Sequence, residues 1–287
     1  MVVARNIGRL GNNMFQIAAA IGYARKYGYE WAADESNGHG EPYSSIHKAF
    51  PNLPKHKFGG GIRYHEHPNA FCEQHKQHFD DCHFNYHDIP DLGPNVTLTG
   101  FYQSWKYFEH CKEEVKEVFK LPHVEGYEDC VSVHVRRGDY VQHSGSFPPV
   151  TKDYILNSMQ LFLDKNPYQR FIVFSDDIQW CKEHIKLHCW VADNEETEQA
   201  KFIQDMMTKM VTYSEGRNEL QDLSLMASCG HHIIANSSFS YWGAYLGYNP
   251  NRTVICPSAE TWFGPTAGVK QPVKDLILPE WIQIPTR

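Results

Sequence analysis

Two consecutive arginines follow a strongly apolar segment near the middle of the 287-residue chain. Residues 131–135 have the composition of a buried strand, and Arg136, Arg137 and Asp139 come directly after them. Ligands of parallel sheets bind at the carboxyl ends of the strands, so this position favours a binding role over surface ion pairing. A guanidinium group holds phosphate through two parallel hydrogen bonds. The pattern therefore predicts a phosphate site.

A second polar group follows another apolar segment, residues 232–235. Its members Asn236, Ser237 and Ser238 stand where a helix is expected to begin. The first backbone N–H groups of a helix are unpaired and carry the positive end of the helix dipole, so they can bind an anion. Ordinary helix capping needs only one such residue. The sequence by itself leaves both interpretations open.

A glycine-containing loop and an acidic pair are weaker signals. Residues 8–16 join the first apolar segment to the first helical pattern, but they lack the spacing of a dinucleotide-binding loop. Asp176 and Asp177 follow the apolar residues 171–174. Capping of the next helix explains this pair as well as a binding role does.

The elements that would position these residues alternate between strands and helices. The strands are predicted at residues 2–7, 96–100, 131–135, 171–174, 190–192, 232–235 and 253–256, and the helices at 14–27, 107–119, 154–163, 178–187, 219–228 and 239–246. Apolar strands separated by helices are typical of parallel sheets covered on both faces. We therefore predict an α/β fold of two units, joined by a linker at residues 121–126, with a ligand cleft between them.

Composition and charge exclude several classes of protein. The chain is 41% hydrophobic and 14% aromatic, which indicates a packed core rather than disorder. Its net charge of −7 argues against charge-driven binding to nucleic acid or membrane. No apolar stretch approaches the ~20 residues of a membrane-spanning helix, and no signal-peptide pattern is present. We expect a cytoplasmic protein with reduced cysteines and unused glycosylation sequons.

Five sequence blocks resemble the α-1,2-fucosyltransferases of glycosyltransferase family 11. In chain order they are GRLGN with MFQ (residues 8–12 and 14–16), GFYQS with YF (100–104 and 107–108), HVRRGDY (134–140), FSDD (174–177) and HHIIANSSFSYWGA (231–244). The His-x-Arg-Arg-x-Asp pattern is highly specific for fucosyltransferases that use GDP-sugars. The resemblance covers nearly the whole chain.

The resemblance implies a GT-B-type fold of two Rossmann-like parallel-sheet domains with the active site in the cleft between them. We place an acceptor-side domain at 1–125, a GDP-sugar-binding domain at 126–262, and a C-terminal segment, 263–287, that packs back across both. The implied partners are a GDP-sugar donor and a glycan acceptor. No cofactor and no metal are expected, because the sequence contains no Asp-x-Asp triplet to hold a cation at the diphosphate.

The resemblance also implies roles for individual residues. Arg136 contacts the β-phosphate, while Arg137 supports it or pairs with Asp139, which is the candidate general base. Asp222 accepts two hydrogen bonds from guanine, with His134 nearby. The remaining implied assignments are Asn12 as a catalytic residue and Arg9, Asp177, Asn236, Ser237, Ser238 and Phe239 as donor-binding residues.

Two regions depart from the family pattern. Residues 194–217 are longer by about a helix, with Phe202 and three methionines at helical spacing, and we interpret them as a packed surface helix. Residues 35–80 follow the family poorly, so the acceptor is less determined than the donor. The same part of the chain holds the cluster Cys72, His75, His78, Cys82 and His83, which could bind zinc, although its spacing fits no standard finger.

The predicted reaction is inverting transfer of L-fucose from GDP-β-L-fucose to a sugar hydroxyl, with galactose O2 as the favoured acceptor atom. The first alternative keeps the fold and uses another GDP-deoxyhexose such as GDP-rhamnose. The second is a sugar- or nucleotide-binding module that has lost catalysis.

Overall fold

A computed structural model describes residues 1–35, 46–56, 61–66, 84–187, 197–267 and 273–286. The chain forms two compact units, the first of Met1–Leu121 with Pro265–Pro279 and the second of Pro122–Gly264 with Glu280–Arg287. Each unit contains one sheet, and all described strand pairings in both sheets are parallel. The predicted α/β fold with two parallel sheets is confirmed.

The first unit is a five-stranded sheet with the order β3-β2-β1-β5-β4. Its strands are β1 (Val2–Ala4), β2 (Trp31–Asp34), β3 (Lys55–His56), β4 (Ile62–His65) and β5 (Val96–Thr99), and its helices are α1 (Leu10–Tyr27), α2 (Ile46–Ala49) and α3 (Lys112–Val118). Helix α1 ends at Gly28, whose φ of 76° is the left-handed conformation that closes a helix. Arg25 and Lys26 complement the helix dipole in its last turn.

The second unit is a six-stranded sheet with the order β11-β10-β9-β6-β7-β8. The strands are β6 (Cys130–Val135), β7 (Arg170–Ser175), β8 (Val211–Tyr213), β9 (His231–Ile233), β10 (Val254–Pro257) and β11 (Ile282–Ile284). The helices are α4 (Gly138–Gln142), α5 (Lys152–Leu163), α6 (Ile178–His184), α7 (Glu198–Lys209), α8 (Glu219–Ser228) and α9 (Ser238–Tyr245).

Strand β6 lies at the centre of this sheet and is buried along its whole length. Val131, Val133 and Val135 pack with α5 in one apolar cluster. Cys130 packs in a second cluster with residues of β7 and α8. Helices thus cover both faces, which explains why this strand reads as a continuous apolar run.

Several predicted elements differ from the observed ones. The helix predicted at 107–119 is wrong in its first half, because two 3₁₀ turns (Trp105–Tyr107 and Glu109–Cys111) precede α3. Strands β2, β3, β4, β8 and β11 were not predicted; none exceeds four residues, too few to establish a periodic pattern. Helix α7 confirms the extra helix, but Phe202 on it is 69% exposed.

The predicted strand at 190–192 and the candidate zinc residues lie outside the described residues. Among the described cysteines, all five are free, and only Cys111 is not fully buried. Within the described ranges, no helix has the length and apolar character needed to cross a membrane.

Candidate active site

Each sheet reverses its strand order at one place, and most of the predicted site residues of each unit follow the strands at its own reversal. In the second unit, β7 and β8 extend the sheet to one side of β6, whereas β9, β10 and β11 lie on its other side. In the first unit the same reversal falls between β1 and β5. Such reversals separate the connections at the carboxyl ends of the strands and leave a crevice for a ligand.

At the end of β6, the Arg136 guanidinium group contacts two carboxylates. Its Nη1 lies 2.6 Å from Asp176 Oδ2, and its Nη2 contacts Asp139 Oδ1. The Arg136 side chain is only 16% exposed, whereas Asp139 is 49% and Asp176 27% exposed. The guanidinium carbon also lies 5.5 Å from the centre of the Tyr140 ring. Arg136 is therefore held by surrounding groups before any ligand binds.

Arg137 is oriented by a separate set of contacts. Its Nε donates to Asp177 Oδ2 at 3.0 Å, and its guanidinium carbon lies 3.9 Å above the Trp180 ring. Of the alternatives predicted for Arg137, pairing with Asp139 is wrong, because Asp139 pairs with Arg136. The two arginines each have their own carboxylate partners, since successive residues after a strand point in different directions.

Asp176 is the residue that the sequence-based site assignment missed. Besides its ion pair with Arg136, its Oδ1 accepts the backbone N–H of Arg137 at 2.8 Å. Gly138 makes this approach possible, because a Cβ atom at that position would collide with the Asp176 carboxylate. The sequence does contain an Asp-Asp pair after a buried strand, but the family resemblance implies a donor-binding role only for Asp177. Asp177 itself caps α6 by accepting the Trp180 N–H at 3.2 Å.

His134 lies within the carboxyl half of β6 and is 6% exposed. Its ring centre is 5.7 Å from that of Phe239, and among the described residues its Nδ1 has no hydrogen-bond partner. Burial lowers the pKa of His134 to about 4; Arg136 acts in the same direction and Asp176 opposes it. The ring is therefore neutral at pH 7.

The β9 side of the reversal carries Asn236, Ser237 and Ser238. Asn236 Nδ2 donates to the carbonyls of Pro148 (3.0 Å) and Trp262 (2.8 Å), so this side chain joins three segments of the unit. Ser237 is the N-cap residue of α9, yet its hydroxyl makes no capping hydrogen bond. The Asn236 amide group is therefore engaged in contacts within the unit, whereas the first turn of α9 begins without a side-chain cap.

Asp222 lies in the first turn of α8, beyond the end of β8. Its Oδ1 accepts the Ser214 hydroxyl at 2.5 Å, and the same hydroxyl accepts from Arg217 Nη1 at 3.1 Å. Burial raises the pKa of Asp222 above its usual value, while the Ser214 hydrogen bond and the Arg217 charge lower it. The side chain is thus fixed and half-buried, as a recognition residue would be.

In the first unit, Arg9 ends the loop between β1 and α1, and Asn12 lies in the first turn of α1. Arg9 is the exposed N-cap residue of α1. Asn12 Oδ1 accepts a hydrogen bond from Gln103 Nε2 at 2.8 Å, and Gln103 follows β5. An amide–amide contact therefore links the helix that follows β1 to the segment that follows β5, which the sequence patterns did not predict.

Comparison with known proteins places these features in a family context. The model of Glycosyl transferase family 11 matches residues 61–285. An alpha-1,2-colitosyltransferase of Escherichia coli is 29% identical over 304 residues, covering 92% of this chain and 92% of that protein.

Human galactoside alpha-(1,2)-fucosyltransferase 1 is 28% identical over 229 residues, covering 69% of this chain. The chain spans about half of that relative, since the match covers 54% of it. A crystal structure of the NodZ alpha-1,6-fucosyltransferase soaked with GDP-fucose has a TM-score of 0.48 and 15% identity, covering 88% of this chain and 94% of that one.

The lowered pKa of His134 predicts acid sensitivity. In the unfolded chain the His134 imidazole takes up a proton near pH 6.5, whereas in the folded state it does so only near pH 4. The free energy of unfolding therefore decreases as pH falls from about 6.5 towards 4. The total decrease over this pH range is about 3 kcal/mol. Replacing His134 with Gln should flatten the pH dependence of the free energy of unfolding, measured by urea denaturation at several pH values. His143→Gln is the control, because that residue is exposed in the same unit. An unchanged pH slope in His134→Gln would contradict the assignment.

Proposed function

Because the chain belongs to glycosyltransferase family 11, as its sequence blocks predicted, we propose that it moves a deoxyhexosyl group from a GDP-deoxyhexose to a sugar hydroxyl, inverting the anomeric carbon. GDP-β-L-fucose is the favoured donor and galactose O2 the favoured acceptor atom. The observation that carries the proposal is the clustering of Arg136 and Arg137 where the second sheet reverses its strand order. Both curated relatives described above carry an alpha-1,2 linkage in their names.

One alternative donor has specific support. One relative that matches along nearly its whole length is a colitosyltransferase. A colitosyl donor therefore joins GDP-rhamnose as an alternative to GDP-fucose. The phosphate- and guanine-binding residues proposed below serve all these donors, because the donors differ only in the sugar.

The donor diphosphate binds to Arg136 by replacing Asp139. Asp139 is the more exposed of the two carboxylates on this guanidinium group, so it is the one that exchanges at lower cost. Asp176 stays in place and keeps the guanidinium oriented. The first turn of α9, with the backbone N–H groups of Ser238 and Phe239, faces the phosphates from the β9 side.

In the reaction, the acceptor hydroxyl oxygen attacks the anomeric carbon as the bond from that carbon to the β-phosphate oxygen breaks. The bonding electrons pass to the diphosphate, which leaves as GDP. Arg136 stabilises the negative charge that grows there. The carboxylate of Asp139, released from Arg136, takes the proton of the acceptor hydroxyl.

A panel of GDP-fucose, GDP-rhamnose and a colitosyl donor against several galactosides tests the function. We expect mass spectrometry to detect a product with at least one deoxyhexosyl donor. EDTA should leave turnover nearly unchanged, because guanidinium and N–H groups replace the cation. Activity lost in EDTA and restored by Mn²⁺ would overturn the phosphate-site assignment. GDP binding without turnover of any donor would favour the binding-module alternative.

Asp222→Asn should weaken GDP binding. The amide keeps an oxygen for the Ser214 hydroxyl but cannot accept both guanine hydrogen bonds with full charge, and an unpaired buried donor costs ~1–3 kcal/mol. The dissociation constant of GDP, measured by calorimetry, should rise about 5- to 150-fold. Asp205→Asn, on the exposed face of α7, should leave it unchanged. An unaltered constant in Asp222→Asn would remove Asp222 from the site.

Arg136→Lys should reduce kcat by roughly 10²–10³-fold, the loss typical of one transition-state donor. Lysine keeps the charge but loses the planar fork that reaches Asp176 and the diphosphate together. GDP binding should weaken much less. Arg170→Lys is the matched control, because Arg170 is a half-exposed, ion-paired arginine at the opposite end of a strand in the same unit. Near-native kcat in Arg136→Lys would refute the role. An unfolded variant would make Arg136 structural and Arg9 the better candidate.

A further inference from the structure

An acidic side chain lies buried at the end of β4, the neighbour of β5 in the first sheet. Glu66 directly follows β4 and is 2% exposed. Its Oε2 accepts the backbone N–H groups of Phe101 (2.7 Å) and Tyr102 (2.9 Å), and among the described residues its Oε1 has no hydrogen-bond partner. Desolvation raises the pKa of Glu66 to about 8, so the carboxyl group is mostly neutral at pH 7. A buried group of this kind has a cost that an apolar residue would avoid.

The turn that Glu66 holds has an unusual backbone. Tyr102 has a φ of 48°, in the left-handed region that non-glycine residues rarely adopt. Gly100 lies against the carboxyl group, and a Cβ atom there would be 2.6 Å from Glu66 Oε2. Ser104 N–H donates to Tyr102 O at 2.8 Å and closes the turn around Gln103. The two hydrogen bonds to Glu66 therefore offset a conformation that is unfavourable by itself.

The consequence of this turn is the direction of the Gln103 side chain. Gln103 is 8% exposed, and its amide donates to Asn12 Oδ1 across the reversal between β5 and β1. In the loop between β1 and α1, Gly8 has a φ of 82°, and a Cβ atom there would be 2.6 Å from Asn12 Nδ2. Both loops thus fold tightly around one amide–amide contact.

The second unit contains the same construction beneath its arginines. Asp176 directly follows β7, just as Glu66 directly follows β4. Asp176 accepts the N–H of the second residue after β6, and Glu66 accepts the N–H of the second residue after β5. In both units a glycine in the braced loop makes room for the carboxyl group.

We propose that Glu66 is a positioning residue, whose carboxyl group holds the turn at Phe101 and Tyr102 so that Gln103 orients Asn12 at the substrate-binding edge of the first sheet. This inference rests on the proposed function, because it assigns the Gln103–Asn12 pair to that reaction. Glu66 acts on substrate through these two amides and takes no part in bond making.

Four variants test the inference on a donor and acceptor that the wild-type chain turns over. Glu66→Ala removes the acceptor for both N–H groups, and kcat/KM should fall on the order of 10- to 100-fold, the loss typical of a misplaced catalytic group. The kcat/KM of Gln103→Ala should fall by the same factor. The kcat/KM of the double variant should be no lower than that of the more impaired single variant. Glu66→Gln keeps the accepting oxygen and should stay within about threefold of wild type.

Val115→Ala separates positioning from stability, because Val115 is fully buried in the first unit and belongs to α3, not to the turn. It should lower the melting temperature while kcat/KM below that temperature stays near wild type. GDP affinity, measured by calorimetry, should be unchanged in all four Glu66 and Gln103 variants. Additive losses in the double variant, or an equal loss in Val115→Ala, would overturn the inference.

If Glu66→Ala does not fold, Glu66→Gln provides the test. A tenfold loss of kcat/KM in Glu66→Gln at a normal melting temperature would also overturn the inference.

The free energy of unfolding of the wild type should fall as pH rises from about 4.5 to about 8, and that of Glu66→Gln should not show this fall. Tyr64, Tyr102, Tyr107 and His87 are the other titratable groups around Glu66 among the described residues. Failure of wild-type turnover would refute the proposed function instead, before any variant is compared.

Discussion

The contact between Asp176 and the loop after β6 fixes the geometry on which the second unit's site depends. One carboxylate oxygen meets Arg136, and the other accepts the Arg137 N–H. The parallel pairing of Val135 with Ser175 brings the two strand ends to the same level, and Gly138 leaves the space that the carboxylate fills. Removing any one of these conditions would take away a contact that orients the Arg136 side chain and the Arg137 backbone.

The charges of this cluster determine how it can receive an anion. Asp139, Asp176 and Asp177 surround two guanidinium groups, so the cluster carries one excess negative charge before a donor binds. In the proposed reaction, a diphosphate enters as a carboxylate moves away, because like charges this close repel strongly. Asp139 is the most exposed of the three. An exchange of Asp139 for phosphate would couple donor binding to the freeing of a base.

The sequence predicted the central elements of the second unit because burial on both faces makes their apolar runs long. Strand β6 and helix α8 were located almost to the residue, and so were the arginines after β6. Short edge strands such as β3 and β11 are mostly exposed and carry no such pattern. The partners of Asp176 and Glu66 could not be predicted, because hydrogen bonds between loops depend on strand order and register, which periodicity does not encode.

The two bracing carboxyl groups differ in charge for a physical reason. Asp176 is 27% exposed and lies 2.6 Å from a guanidinium nitrogen, so its negative charge is compensated. Glu66 is 2% exposed and receives only neutral N–H groups, so burial favours its protonated form. In the proposed reaction, the first orients a cation towards the diphosphate, whereas the second orients amides, which recognise neutral hydroxyl groups. Under the proposed function, the charged brace therefore serves diphosphate binding in the second unit, and the neutral brace serves the positioning of sugar hydroxyls in the first unit.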